Sequence, residues 1–164
     1  MFRDAQIHPY GNDATSALQR ARAKEFVEVF LAKVNPFYYS AVVRGELNVG
    51  PALVESINTF LVPFLPEKTT FVIGEKFGLA EMLVSPFVIR LYLAAKLGLL
   101  GEGIEVKLAE IPKWDRWARA VLQNGSLRKT FDFEFEARRT LDRVRKVREA
   151  IKVAAIGDVN GAKV

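Results

Sequence analysis

Residues 72–90 read Val72-Ile73-Gly74-Glu75-Lys76-Phe77-Gly78-Leu79-Ala80-Glu81-Met82-Leu83-Val84-Ser85-Pro86-Phe87-Val88-Ile89-Arg90. The apolar run after Gly78 lasts to Leu97, and Gly98 follows as a stop, because glycine accepts the left-handed backbone that ends a helix. The spacing predicts a helix from about Gly78 to Lys96 or Leu97. Glu81 stands at its third position, where a carboxylate bonds back to the cap N–H and favours the positive end of the helix. Glycine caps without a side-chain acceptor, so half of a capping box is expected. Leu79, Met82, Leu83, Phe87, Val88, Ile89, Leu91 and Leu93 leave almost no polar face, and such a helix sits in the middle of a bundle. Pro86 lacks an N–H and predicts a kink.

Asp13 to Arg44 carries Leu18, Phe26, Phe30, Val34 and Tyr38 at helical spacing, with Asp13, Thr15 or Ser16 able to cap. Pro36 inside this pattern predicts a kink or a short break near Asn35. Gly50-Pro51 opens a second helix with Leu53, Ile57, Phe60, Leu61 and Phe64 on one face, closed by Pro63 and Pro66. Thr69 to Ile73 is β-prone but too short for a sheet. Pro112 opens a fourth helix that buries Trp114, Trp117, Val121 and Leu122 and ends at Asn124-Gly125. The last helix covers roughly Phe135 to Ala154, and Phe131 to Glu136 alternates with period two, so its first half reads as extended. The pattern predicts an all-α bundle of five to six helices over 13–155, after a linker remnant at 1–12 and before a frayed tail at 156–164.

The 164 residues suit one domain, and half of them are apolar, enough for a packed core. There is no cysteine, so disulfides and thiolate chemistry are excluded. A single histidine, His8, makes a zinc site or a Ser-His-Asp triad hard to assemble, and no metal is expected. The net charge is +5, and it belongs to one segment. Between Ala137 and Lys152 stand Arg138, Arg139, Arg143, Arg145, Lys146, Arg148 and Lys152 against Asp142 and Glu149; the remaining chain is neutral. Phe77 to Leu100 is the most apolar stretch, but Glu81, Pro86, Arg90 and Lys96 interrupt it, so no membrane span and a cytoplasmic location are expected.

Three segments in order resemble the C-terminal helical domain of cytosolic glutathione transferases. The first is 72–90, where the family places a Ser or Thr cap followed by Ala-Asp; Gly78 and Glu81 stand in their places. The second is Ile111-Pro112-Lys113-Trp114-Asp115-Arg116-Trp117 followed by Ser126 to Thr130. The third is Arg20-Ala21 followed by Phe26 and Glu28 to Lys33. The Pro86-to-Arg90 run and the Lys33-Val34 region look most like the omega class and its fungal relatives. The match covers about Phe2 to Thr130, with Phe2 to Pro9 similar to the linker after the thioredoxin-like domain. That domain holds glutathione and the catalytic Tyr, Ser or Cys in the family, so the resemblance implies a helical half without a catalytic residue of its own.

The resemblance further implies that the helical domain lines the pocket for a small hydrophobic or disulfide co-substrate and contributes to a dimer. The candidates are Phe30, Val34, Phe37, Tyr38 and Arg90. Phe30 and Val34 also read as plain core. Tyr38 and Tyr39 carry hydroxyls that need a partner or water. Arg90 cannot stay unpaired in an apolar helix, so it either lines the pocket, as an omega-class arginine does, or pairs with a carboxylate such as Glu81 or one on a neighbouring helix. The basic helix has two readings as well: a stripe packed on its own bundle with solvated charges, or a surface for RNA or protein through Arg143, Arg145, Lys146 and Arg148, as in translation-assembly modules of this family.

Overall fold

The apolar stripes of the chain close around the one helix that lacks a polar face. The computed structural model describes residues 13–161, with side chains as far as Val153. The linker reading of 1–12, with His8, lies outside the described residues. The elements are α1 (Ala14–Val29), α2 (Asn35–Val42), α3 (Gly50–Ser56), α4 (Leu79–Lys96), α5 (Ile104–Ala109), α6 (Pro112–Leu122), α7 (Gly125–Thr130) and α8 (Phe133–Gly161). A π turn at Phe30–Val34 joins α1 and α2 into one rod, and a second at Ile57–Leu61 extends α3. The described residues thus form seven helical rods, two of them the short α5 and α7. The only strand pairing among them is a single bridge between Phe71 and Gly74, which is all that the β-prone run produces.

The central helix begins as its residues dictate. Gly78 N–H donates to Glu81 Oε2 at 3.1 Å, the expected half of the box. The other oxygen, Oε1, accepts from Val72 N–H at 2.9 Å and from the Trp117 indole at 3.1 Å, so one fully buried carboxylate ties three segments together. α4 packs against α1, α2, α5, α6 and α8. Trp117 stacks edge-on against Phe26 with ring centroids 5.3 Å apart, and Trp114 donates to the Tyr92 hydroxyl at 3.1 Å. Both indoles are fully buried, and burying a large apolar side chain contributes roughly 1.5–3 kcal/mol.

The prolines are absorbed without breaking their rods. Pro86 cannot bond the Met82 carbonyl, and the Ser85 hydroxyl takes it at 3.2 Å, so α4 runs through. At Pro36 and Pro63 the chain widens by one residue instead: Asn35 N–H reaches back to Phe30 O and Val62 N–H to Ile57 O, each just before its proline. The two π turns lie side by side, and Ser56 Oγ donates to Lys33 O across them at 2.7 Å.

At the C-terminal end, Asn124 does more than end α6. Its side chain accepts from Ser126 and Leu127 N–H and so starts α7. Phe131 is extended, and Asp132 caps α8 through Phe135 N–H at 2.9 Å. That places the start at Phe133, two residues before the expected one. The helix then continues to Gly161, past the expected end at Ala154, because a lone glycine such as Gly157 costs a helix only about 1 kcal/mol.

Candidate functional site

α8 returns across α2 and α4 and borders a cleft of about 210 Å³. Its lining includes Tyr38 and Tyr39 from α2, Phe87 and Arg90 from α4, and Glu136, Thr140 and Arg143 from α8. The helical period explains the grouping: Glu136, Arg139, Thr140 and Arg143 are three, four and seven residues apart and share one face. Tyr38 and Tyr39 meet edge to face with centroids 6.0 Å apart.

Electrostatics in the cleft is unbalanced. Glu136 bridges two guanidiniums, Arg90 at 3.7 Å and Arg139 at 3.4 Å. Both contacts are longer than the roughly 2.7–2.9 Å of a tight charged hydrogen bond, so neither fork is filled. The Arg90 and Glu136 side chains are 32% and 14% exposed, which keeps the pair partly shielded from solvent. Arg143 has no carboxylate within 4 Å among the described residues. Asp142 next to it is engaged by Arg145 at 3.2 Å. Three cations therefore face one anion. Burial pushes the Tyr38 hydroxyl above its ordinary range, while Arg90, the Thr140 hydroxyl and Arg143 pull the other way.

The bundle has a counterpart among solved structures. It superposes on the crystal structure of glutathione transferase Omega 1C from Trametes versicolor with a TM-score of 0.69 and 23% sequence identity, over 89% of this chain and 61% of that one. The fold is the glutathione transferase C-terminal helical domain. The chain thus accounts for 61% of the length of the omega transferase that it matches. No family model and no curated protein matches the sequence.

Within this transferase-type bundle the five sequence candidates part company. Tyr38 and Arg90 meet in the cleft. Phe30 and Val34 are fully enclosed in the core, Phe30 with its ring 6.3 Å from Phe87 and so one layer behind the cleft wall. Phe37 faces a separate shallow groove with Lys33, Pro36, Ser56 and Phe60. Arg90 finds its carboxylate on α8 rather than at Glu81, whose oxygens are taken by three N–H donors. Glu136, Arg139 and Thr140 were not among the sequence candidates for the cleft, Arg139 standing there only in the basic cluster.

The basic residues of α8 divide between faces, with Arg138, Arg139, Arg143 and Lys146 on one of them. Arg143 and Lys146 line one groove with Phe135, Arg138 and Arg139, Arg145 is exposed and paired with Asp142, and Arg148 packs beside Gly45. A wider opening of about 720 Å³ lies between α1 and 63–74. Its lining is apolar for the larger part, with Thr15, Gln19, Glu25 and Thr69 also on it, and its Arg22 is held by the Phe64 carbonyl at 2.8 Å. Among the described residues no group of carboxylates or histidines could hold a metal, and no helix is long and apolar enough to cross a membrane.

Proposed function

We propose that the cleft between α2, α4 and α8 receives the co-substrate of a glutathione-dependent transferase, in conjugation or thiol transfer. The observation that carries this reading is the meeting of Tyr38 and Arg90 in one cleft on a bundle whose fold is that of an omega transferase. A cleft of about 210 Å³ is smaller than the ~300–1,000 Å³ that encloses a drug-sized ligand, so it suits a small co-substrate and not the whole tripeptide. Glutathione would supply a thiolate from a thioredoxin-like domain. This chain would bind and orient: Phe87 and Val42 give an apolar wall, while the Tyr38 hydroxyl and the Arg90 guanidinium fix the polar end. A dimer built through the bundle and a cytoplasmic location belong to the same proposal.

The test joins a glutathione-binding thioredoxin-like domain ahead of Met1 and follows conjugation of a standard electrophile. Arg90→Leu should lower turnover of the joined protein, and the 164-residue chain alone should give none. Unchanged kinetics in Arg90→Leu, or a robust rate from the chain alone, would sink the reading.

A further inference from the structure

The charge count of the cleft says more than that something small fits. Three guanidiniums, Arg90, Arg139 and Arg143, border it, against the single carboxylate of Glu136. That carboxylate is spread over two partners at 3.7 and 3.4 Å, and Arg143 has no carboxylate within reach among the described residues. The hydroxyls of Tyr38, Tyr39 and Thr140 stand among them and can donate. Val42, Phe87 and the tyrosine rings supply the apolar part of the lining. At ~30 Å³ per water, 210 Å³ holds about seven waters, which is room for one ring and its acid group.

We infer that the cleft selects a small aromatic carboxylate. This deepens the co-substrate reading, on which it rests, by naming the chemical class. The ring lies against Phe87, Val42 and the tyrosines, and the carboxylate takes the open fork of Arg143 with help from Arg90. A planar guanidinium matches a carboxylate two bonds at a time, and the partly shielded Arg90 strengthens its own bond relative to open water, whereas Arg143 is exposed. A neutral ring of the same size would leave the excess positive charge unmatched.

The experiment is a calorimetric titration of the full 164-residue chain, at low ionic strength, with benzoate, benzyl alcohol and inorganic phosphate in separate arms. Benzoate should bind saturably, and benzyl alcohol and phosphate at least about tenfold more weakly, one lacking the charge and the other the ring. Arg143→Gln should weaken benzoate by about tenfold or more, the scale of one lost charged hydrogen bond. Arg145→Gln, on the exposed side of α8, should leave it unchanged. Circular dichroism of both variants guards against a folding effect. Equal binding of benzoate and benzyl alcohol, insensitive to Arg143→Gln, would overturn the acid preference while leaving the pocket reading standing. Phosphate binding as tightly as benzoate would overturn the aromatic part. Failure of all three to bind would overturn the inference and the pocket reading together.

Discussion

The carboxylate of Glu81 accepts the indole N–H of Trp117 at 3.1 Å, thirty-six residues along the chain, inside a core that neither side chain leaves. The same carboxylate holds the Val72 and Gly78 amides, and no cation stands within 4 Å of it among the described residues. Three N–H donors thus replace the solvation it loses on burial.

Glu81→Ala should therefore be among the most damaging single changes. Each buried donor left without a partner costs roughly 1–3 kcal/mol, which puts the sum for three at about 3–9 kcal/mol, a large share of a small domain's stability. Glu81→Gln keeps an oxygen for two donors but turns an amide NH2 toward the third, and should cost about 1–3 kcal/mol. Urea denaturation followed by tryptophan fluorescence separates the three proteins; a Glu81→Ala midpoint close to the parent would refute the argument.

Gly50→Ala sets two effects against each other. Alanine is a better helix former by about 1 kcal/mol, and Gly50 opens α3 with no left-handed angle to defend. An added Cβ, however, would overlap the Leu100 carbonyl and the Ile104 side chain, and Gly50 N–H already bonds that carbonyl at 2.9 Å. Backbone cannot step aside as a flexible side chain can, so overpacking, typically about 1–3 kcal/mol, should win. A lower midpoint in Gly50→Ala is expected, and a higher one would show that the α3–α5 contact yields.

Ser56→Ala should cost about 1 kcal/mol by removing the hydroxyl that bonds Lys33 O between the two π turns. Amide hydrogen exchange gives the sharper readout. Protection should drop around residues 30–37 and 57–63 while α4 keeps its own; a uniform drop would mean that the contact is not local to the turns.

Alkaline pH should expose Tyr92. Burial raises its hydroxyl to about 12, against the opposing bond from Trp114. A group with a raised pKa favours folding while it stays protonated. Its contribution is fully present below the ordinary tyrosine value near 10 and is lost as pH rises from there through about 12. Stability should fall across that window, and Tyr92→Phe should flatten the fall while costing about 1 kcal/mol at neutral pH for the unpaired indole N–H. Denaturation midpoints at pH 8 and pH 11 for the two proteins test this; an identical slope would rule out Tyr92 as its source.

Local signals wrote most of the fold into the sequence. Gly78 and Glu81 announced the central helix, Pro112 the tryptophan helix, and the nearly all-apolar circumference of 79–93 its place in the middle. The site was half legible, since Tyr38 and Arg90 stood out as polar groups on apolar helices. Their partner Glu136 could not be named, because it arrives from a helix 46 residues beyond Arg90 and nothing local distinguishes it from Glu134 or Glu149. Asn124 looked like an ending because asparagine serves turns and caps alike; only the following N–H groups show which. The wide turns were hidden for a third reason: an apolar stripe tolerates one extra residue without losing its side.

That extra residue has a lasting effect on the numbering of faces. One residue inserted into a rod turns everything after it by about 100°. Tyr38 and Tyr39 therefore owe their side of the rod to the widening at Phe30–Val34, four and five residues earlier. Relatives that keep an unwidened helix there should align with this chain only if a one-residue gap is allowed inside what looks like continuous helix. An ungapped comparison would pair every position from Asn35 onward with a residue pointing elsewhere, and the tyrosines would vanish from the ancestry of the cleft.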